Sequence, residues 1–308
     1  MRFNDNHSTG YSMIGYTCAY LRYYYPVEFI TAYLQNSGND NDTIQGANLA
    51  KQLGITISPI KFRHSGIKYT CDSINKVIYK PVNSLKSFGS DIAVKLYNLK
   101  NQRYDSFMDY LKDNPCGKYT EKLIKLNFFS EFGKSQQLLD IYNLYDKFGK
   151  RKQINKSGCP IEENVMLNYA TATEKQYKIF DNIGFMSELC KNVKDKDIPL
   201  IEQLKTQAEF LGYLDYVNPN IKNTGYVINV DTKYSPKITL YCLDTGKTII
   251  YKVSKKDYNT RPIIKDSIIK IQSQLRYKTK MINGEWVKSK DETEPWIINY
   301  QDITYQYN

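Results

Sequence analysis

Residues 224–253 read TGYVINVDTKYSPKITLYCLDTGKTIIYKV, and the alternation within them decides the fold of the C-terminal part of the chain. The runs Tyr226 to Val230, Ile238 to Cys242 and Thr248 to Val253 are rich in β-branched and aromatic residues, with apolar side chains recurring at period two, as half-buried strands require. Asp244-Thr245-Gly246-Lys247 joins the second run to the third as a hairpin turn. Two further candidate strands, Ile268 to Tyr277 and Trp296 to Tyr305, are separated by a turn at Asn283-Gly284. Strands this short and this closely spaced cannot bury a face singly, so they predict a small antiparallel barrel.

An OB-fold is the natural candidate for that barrel, with an SH3-like barrel as the alternative. Upstream the periodicity becomes helical. Residues 8–34 read as two helices, the first capped by Ser8 or Thr9 and ended before Pro26, the second carrying Phe29, Ile30, Tyr33 and Leu34. Ile44, Ala47, Ala50 and Leu53 mark a third helix, closed by Gly54, and Ile55 to Ser58 alternates like a strand. From Asn83 to Phe148 the pattern is helical, with tight turns at Ser87-Phe88-Gly89 and Phe132-Gly133 and an apolar stripe through Leu138, Ile141, Tyr142, Tyr145 and Phe148. The charge run Lys150 to Lys156 reads as a linker, and residues 160–216 as mostly helical. The expected architecture is a multidomain α+β chain divided at 1–80, 81–150, 151–222 and 223–308.

The chain has 308 residues, 41% of them hydrophobic, which is ample for several cores. Its 43 Lys and Arg against 32 Asp and Glu leave a formal charge of +11, which favours polyanions. Part of that excess accompanies heavy use of Lys, Asn, Ile and Tyr, the bias of an AT-rich genome, so charge alone decides little. The six cysteines include no C-x-x-C pair and only His7 and His64 supply imidazole, which argues against a structural zinc site. No apolar run is long enough to span a bilayer and MRFNDNHSTG does not read as a signal peptide, so a cytoplasmic protein without a membrane partner is expected.

The stretch from Phe3-Asn4-Asp5-Asn6-His7-Ser8 through Tyr16-Thr17-Cys18-Ala19-Tyr20-Leu21 to Tyr25-Pro26-Val27-Glu28-Phe29 closely resembles the end of the fingers domain in C-family DNA polymerases, the DNA polymerase III alpha type. Gly54 to Pro59 is similar to that family's MGIxVxPP element, Leu85-Lys86-Ser87-Phe88-Gly89 to its IKGVG hairpin, Leu123 to Gly133 to its LIxxGAFDxFG, and Glu209 to Tyr213 to its ExLGF. These landmarks occur in family order across about residues 1–215. Three positions depart from the pattern: Ser87 replaces the hairpin's first glycine, Asn127 replaces the glycine of the second element, and Asn218-Pro219 stands where His-Pro is usual.

The resemblance implies a helical fingers tail, a helix-hairpin-helix module, a helical connector and a C-terminal OB-like barrel. It implies nucleotide contacts from Asn4, His7 and Ser8, with helix capping by His7 as the structural alternative. At the hairpin, backbone N–H groups beside Gly89 and Ser87, with Lys86 and Lys95, would hold a DNA phosphate without reading bases. On the barrel, Tyr226, Tyr241, Tyr251 and Lys252 would offer a stacking face for single-stranded DNA, with Lys247 near the backbone path, although strand alternation puts at least half of those rings inside.

No catalytic residue or metal ligand is expected, since the family's palm aspartates have no counterpart here. Asp40 and Asp42, and Asp195 and Asp197, read as solvated loop acids. No cofactor is assigned to this chain; Mg2+ and catalysis would belong to a palm-bearing partner chain, with primer-template duplex and single-stranded template as the DNA partners. The sliding clamp is a further candidate partner, through Gln207 to Leu211 or Gln301 to Tyr305. The rival reading is a stand-alone DNA-binding or inhibitory protein derived from the polymerase tail.

Overall fold

The computed structural model describes the backbone of residues 2–85, 88–282 and 285–307, and the side chains of 8–39, 42–85, 88–279, 281 and 287–307. Two compact units divide the chain, one ending at Ile198 and the other beginning at Pro199.

The first unit opens with α1 (Arg2–Tyr24), α2 (Pro26–Gln35) and α3 (Asp40–Gln52). Tyr25 leaves helical geometry ahead of Pro26, which takes the first position of α2, where its missing N–H costs nothing. Val27, Ile30 and Leu34 are buried with Ala50 of α3 and Ile78. Asn39 caps α3 by accepting the Asp42 N–H at 2.9 Å. Helix α1 starts six residues earlier than the Ser8 or Thr9 cap expected from sequence, so both hydroxyls lie within it.

A three-stranded sheet follows: β1 (Thr56–Ser58), β2 (Thr70–Asp72) and β3 (Val77–Tyr79), with β3 in the middle. Helices α4 (Ser90–Asn98), α5 (Phe107–Asp113), α6 (Thr120–Lys125) and α7 (Ser135–Phe148) come next. Phe107, Tyr110, Phe128 and Phe129 are buried with Phe62, so the aromatic residues of the second hairpin build a core. Asn127 adopts φ +58°, the left-handed conformation that glycine tolerates best and asparagine next best. That accounts for asparagine at the family's glycine position.

The run Lys150 to Lys156 does not behave as a linker. It contains β4 (Gln153–Asn155), with Ile154 buried, and this strand joins β5 (Ala170–Ala172) and β6 (Gln176–Ile179) in the order β4-β6-β5. The region expected to be mostly helical thus holds a small sheet flanked by α8 (Glu163–Met166) and α9 (Asn182–Cys190). Asp197 also departs from its loop-acid reading. Its carboxylate accepts both the Ser135 N–H and the Ser135 hydroxyl at 3.0 Å, and Ser135 Oγ accepts the Ile198 N–H at 3.1 Å. The start of α7 is therefore capped from 62 residues away.

The second unit begins with α10 (Leu200–Phe210) and then forms the barrel from β7 (Thr224–Asp231), β8 (Lys237–Cys242), β9 (Lys247–Lys252), β10 (Ile268–Ile282) and β11 (Glu285–Asp302), with α11 (Lys255–Thr260) between β9 and β10. The strands close in the order β10-β11-β9-β8-β7, β10 returning to pair with β7. The α+β expectation with a C-terminal OB-like barrel is borne out. Val227, Ile238, Leu240, Val253, Ile269, Ile271 and Ile297 fill the interior. At Gly225 an added Cβ would lie 2.5 Å from Leu240 Cγ and 2.8 Å from the Tyr241 carbonyl oxygen, so only glycine lets β7 approach β8 this closely. The expected turn at Asn283-Gly284 lies outside the described residues.

Candidate nucleic-acid interface

Of the sequence-predicted barrel residues, Tyr251 faces the barrel interior, while Tyr226 and Tyr241 lie on the outer face, buried with Ile201 and Leu204 of α10. The Tyr226 hydroxyl donates to Asp266 at 2.7 Å and the Tyr241 hydroxyl to the Tyr216 carbonyl at 3.0 Å. Burial raises the hydroxyl pKa of Tyr226 and Tyr241, and pushes that of Tyr251 up to about 12. Rings held this way serve packing, and no base-stacking surface is made of them. Lys247 is exposed at the start of β9, where it pairs with Cys242 across the hairpin.

Register assembles a different outward surface. Lys237 of β8 pairs with Lys252 of β9, Lys252 with Trp296 of β11, and Trp296 with Gln274 of β10. Directly paired residues share a face, so the four stand in one row across four strands. The Arg276 guanidinium lies 4.8 Å and the Lys252 ammonium 5.7 Å from the Trp296 ring centre. Glu294 accepts from Lys252 at 2.8 Å and from the Trp296 indole N–H at 3.2 Å, which fixes the half-exposed indole and offsets one of the charges. Tyr234, 71% exposed between β7 and β8, has the Lys233 ammonium 5.5 Å from its ring centre, and Tyr277 of β10 is 57% exposed. Sequence reasoning passed over Trp296 and Arg276 because a single parallel pair between β9 and β11 sets this row. The clue available in the sequence was a tryptophan at the start of a candidate strand.

In the first unit, Lys86 and Ser87 lie outside the described residues. Gly89 is the residue before α4, exposed, and among the described residues no side chain caps the first turn. With φ −72° and open space where a Cβ would stand, this position does not require glycine for its own fold. Lys95 is exposed in the last turn of α4, about 9 Å along the axis from Gly89, so the two do not converge on one phosphate. Asp91 adds a carboxylate to the first turn.

The side chains of Asn4 and His7 lie outside the described side chains. Ser8 is exposed on α1, on a face shared with Thr9, Ser12 and Thr17, and Thr17 donates to the Met13 carbonyl at 2.8 Å. Neither clamp-motif candidate is a free extended peptide: Gln207 and Leu211 are buried at the end of α10, and Gln301 and Asp302 are paired in β11 ahead of buried Ile303. Among the described residues no helix is long and apolar enough to cross a membrane, and no cluster of His, Cys, Asp or Glu could hold a metal ion.

The chain aligns with bacterial DNA polymerase III alpha subunits. A DNA polymerase III subunit alpha from Mycobacterium tuberculosis (strain ATCC 25618 / H37Rv) is 31% identical over 143 residues, 44% of this chain and 12% of that protein. This chain is similar to part of DNA polymerase III alpha. The subunit alpha of Bacillus subtilis (strain 168) is 26% identical over 215 residues, 68% of this chain and 18% of the relative, and that of Campylobacter jejuni is 24% identical over 249 residues, 74% and 20%. The aligned stretches thus span between 12% and 20% of these subunits alpha. No family model matches the chain. The polymerase III alpha resemblance read from the ordered motifs is borne out.

Proposed function

We propose that this chain holds DNA for a replicative polymerase of the polymerase III alpha type, gripping primer-template duplex through the α4 hairpin and single-stranded template across the barrel, with the catalytic palm on another chain. The observation that carries the reading is the outward row of Lys237, Lys252 and Trp296 beside Arg276 on an OB-like barrel. An indole with neighbouring cations suits single-stranded DNA, because every base has a face to stack and every linkage a charge. The helix start of α4 behind the exposed Gly89 suits a sequence-independent phosphate contact. Asn4, His7 and Ser8 would serve the incoming nucleotide through α1.

Helix α1 supports the partner. Tyr11, Met13, Ile14, Tyr16, Tyr20 and Leu21 are all at least 40% exposed, and a contiguous apolar surface of this kind marks an interaction site. The palm-bearing chain is the expected occupant, with the sliding clamp a further partner.

Fluorescence anisotropy with single-stranded, duplex and primer-template DNA across a salt series tests the reading. All three are expected to bind, primer-template best, with affinity falling steeply as salt rises. Absence of binding to all three at low salt refutes it.

A further inference from the structure

A cleft of about 310 Å³ opens on the barrel, lined by Asn220, Lys222, Thr224, Lys270, Gln301 and Tyr307 among others. Register builds it. Lys270 of β10 pairs with Thr224 of β7 on one side and with Gln301 of β11 on the other, so the three stand abreast on one face. The segment leading into β7 brings Lys222 to the same cleft, and Gln306 and Tyr307 close it from beyond β11.

The chemistry of the lining is one-sided. It offers two ammonium groups and the amides of Asn220, Gln301 and Gln306, and among the described residues it contains no carboxylate. Both lysines are exposed, and no described carboxylate forms an ion pair with either. Asp302, next in sequence to Gln301, instead accepts the Thr304 N–H at 2.9 Å and is not part of the lining. Thr224 is buried, and its hydroxyl donates to the Lys222 carbonyl at 3.0 Å, which ties the lysine-bearing segment to the barrel wall. Two cations with amide donors and no opposing acid select an anion rich in acceptor oxygens. The volume is near the lower limit for small-ligand pockets, so it admits a nucleotide-sized group and excludes a duplex.

We propose that this cleft binds a phosphate of single-stranded DNA through Lys222 and Lys270, giving the barrel a second hold on the strand besides the Trp296 row. The inference rests on the DNA-holding reading and adds the place and chemical group of one contact. The ammonium groups neutralise the phosphate, the amides donate to its remaining oxygens, and Tyr307 lies beside the neighbouring sugar or base.

The test compares the full chain with its K222Q/K270Q double variant, using a labelled dT8 strand in a salt series and, separately, amide NMR titrations with dT8, dTMP and inorganic phosphate. Substitution of two exposed lysines leaves the fold intact, which circular dichroism checks, and K237Q serves as a control on the row. The double variant is expected to lose about tenfold or more in dT8 affinity, with a salt slope shallower by about 0.7, the share of one phosphate contact. Amides of residues 220–224 and 301–307 should shift with dT8. If dT8 binds and the double variant binds it equally well, the cleft proposal is overturned while DNA holding stands. If only dTMP or inorganic phosphate shifts those amides, the cleft is a free-nucleotide or phosphate site and the strand contact is overturned. If the unaltered chain binds no DNA at low salt, both readings fall together.

Discussion

Asp197→Ala should unfasten the start of α7 and leave the barrel untouched. The carboxylate takes the Ser135 N–H and hydroxyl, each at 3.0 Å, and so satisfies donors that a helix start otherwise leaves unpaired. Loss of a helix cap costs about 1 kcal/mol, and removal of a negative charge from a helix N-terminus about 0.3 to 1 kcal/mol more. Ser135 is buried, so its hydroxyl proton loses its acceptor while the oxygen still holds the Ile198 N–H. Asp197 itself is exposed, which keeps the total near 2 kcal/mol rather than higher. With a urea m-value of about 2 kcal/mol/M, the midpoint should fall by about 1 M. Both tryptophans, Trp286 and Trp296, lie in β11, so indole fluorescence follows the barrel while ellipticity at 222 nm follows mostly α1 to α9. The 222 nm transition is expected to shift alone. Asp197→Asn retains an acceptor oxygen and should recover about half the loss. A 222 nm midpoint that does not move on Asp197→Ala would refute the long-range cap.

Trp296→Ala should weaken single-stranded DNA binding by about 1–3 kcal/mol, read by anisotropy, while circular dichroism shows the barrel still folded. Gly225→Ala forces a methyl group against the Tyr241 carbonyl oxygen and should lower barrel stability by about 1–3 kcal/mol, visible in the fluorescence transition. Arg63 donates to Glu131 at 2.7 Å and to the carbonyls of Lys100 and Gln102 at 2.8 and 2.6 Å; Arg63→Ala should cost about 2 kcal/mol at 222 nm, and Arg63→Lys should rescue little of it because lysine has no fork. Burial pushes the Cys116 thiol up to about 12, so the folded unit keeps a proton that the unfolded chain releases near pH 8.5. The corresponding stability is full below that pH and drains away as pH rises towards 12, and Cys116 should resist alkylation at pH 8.5 while exposed Cys18 reacts.

The barrel was legible because its strands are long enough to show alternation and are punctuated by turn residues at Asp244 to Lys247. Strands β2 to β6 were missed because three or four residues are too few to establish a period, and the lysines around Ile154 masked its burial. Alternation also cannot say which of two faces points inward. Tyr251 went into the interior and Tyr226 and Tyr241 under α10 on the outer face, whereas Lys252, one residue after Tyr251, faces outward and joins the row. Asp197 was unreadable for another reason: its partner is 62 residues away, and a short polar stretch carries no trace of a distant helix end. The resemblance filled part of that gap, and Asn127 shows how, since its positive φ preserves the turn that the family builds with glycine.

The β10–β11 pair runs well past the barrel. From Leu275 to Ile282 each strand is hydrogen-bonded only to the other, so among the described residues the outer edge of each is left open. Open edges are templates on which other chains can extend a sheet. Here the projecting segment carries Arg276, Lys278, Lys288 and Lys290, an ion pair between Lys278 and Glu292 at 3.2 Å, and a register break between Tyr277 and Thr279 that interrupts the flat edge. Charge and irregularity of this kind disfavour edge-to-edge pairing between copies of the arm. Replacing those lysines with threonine or valine would remove that protection and should raise the arm's tendency to aggregate.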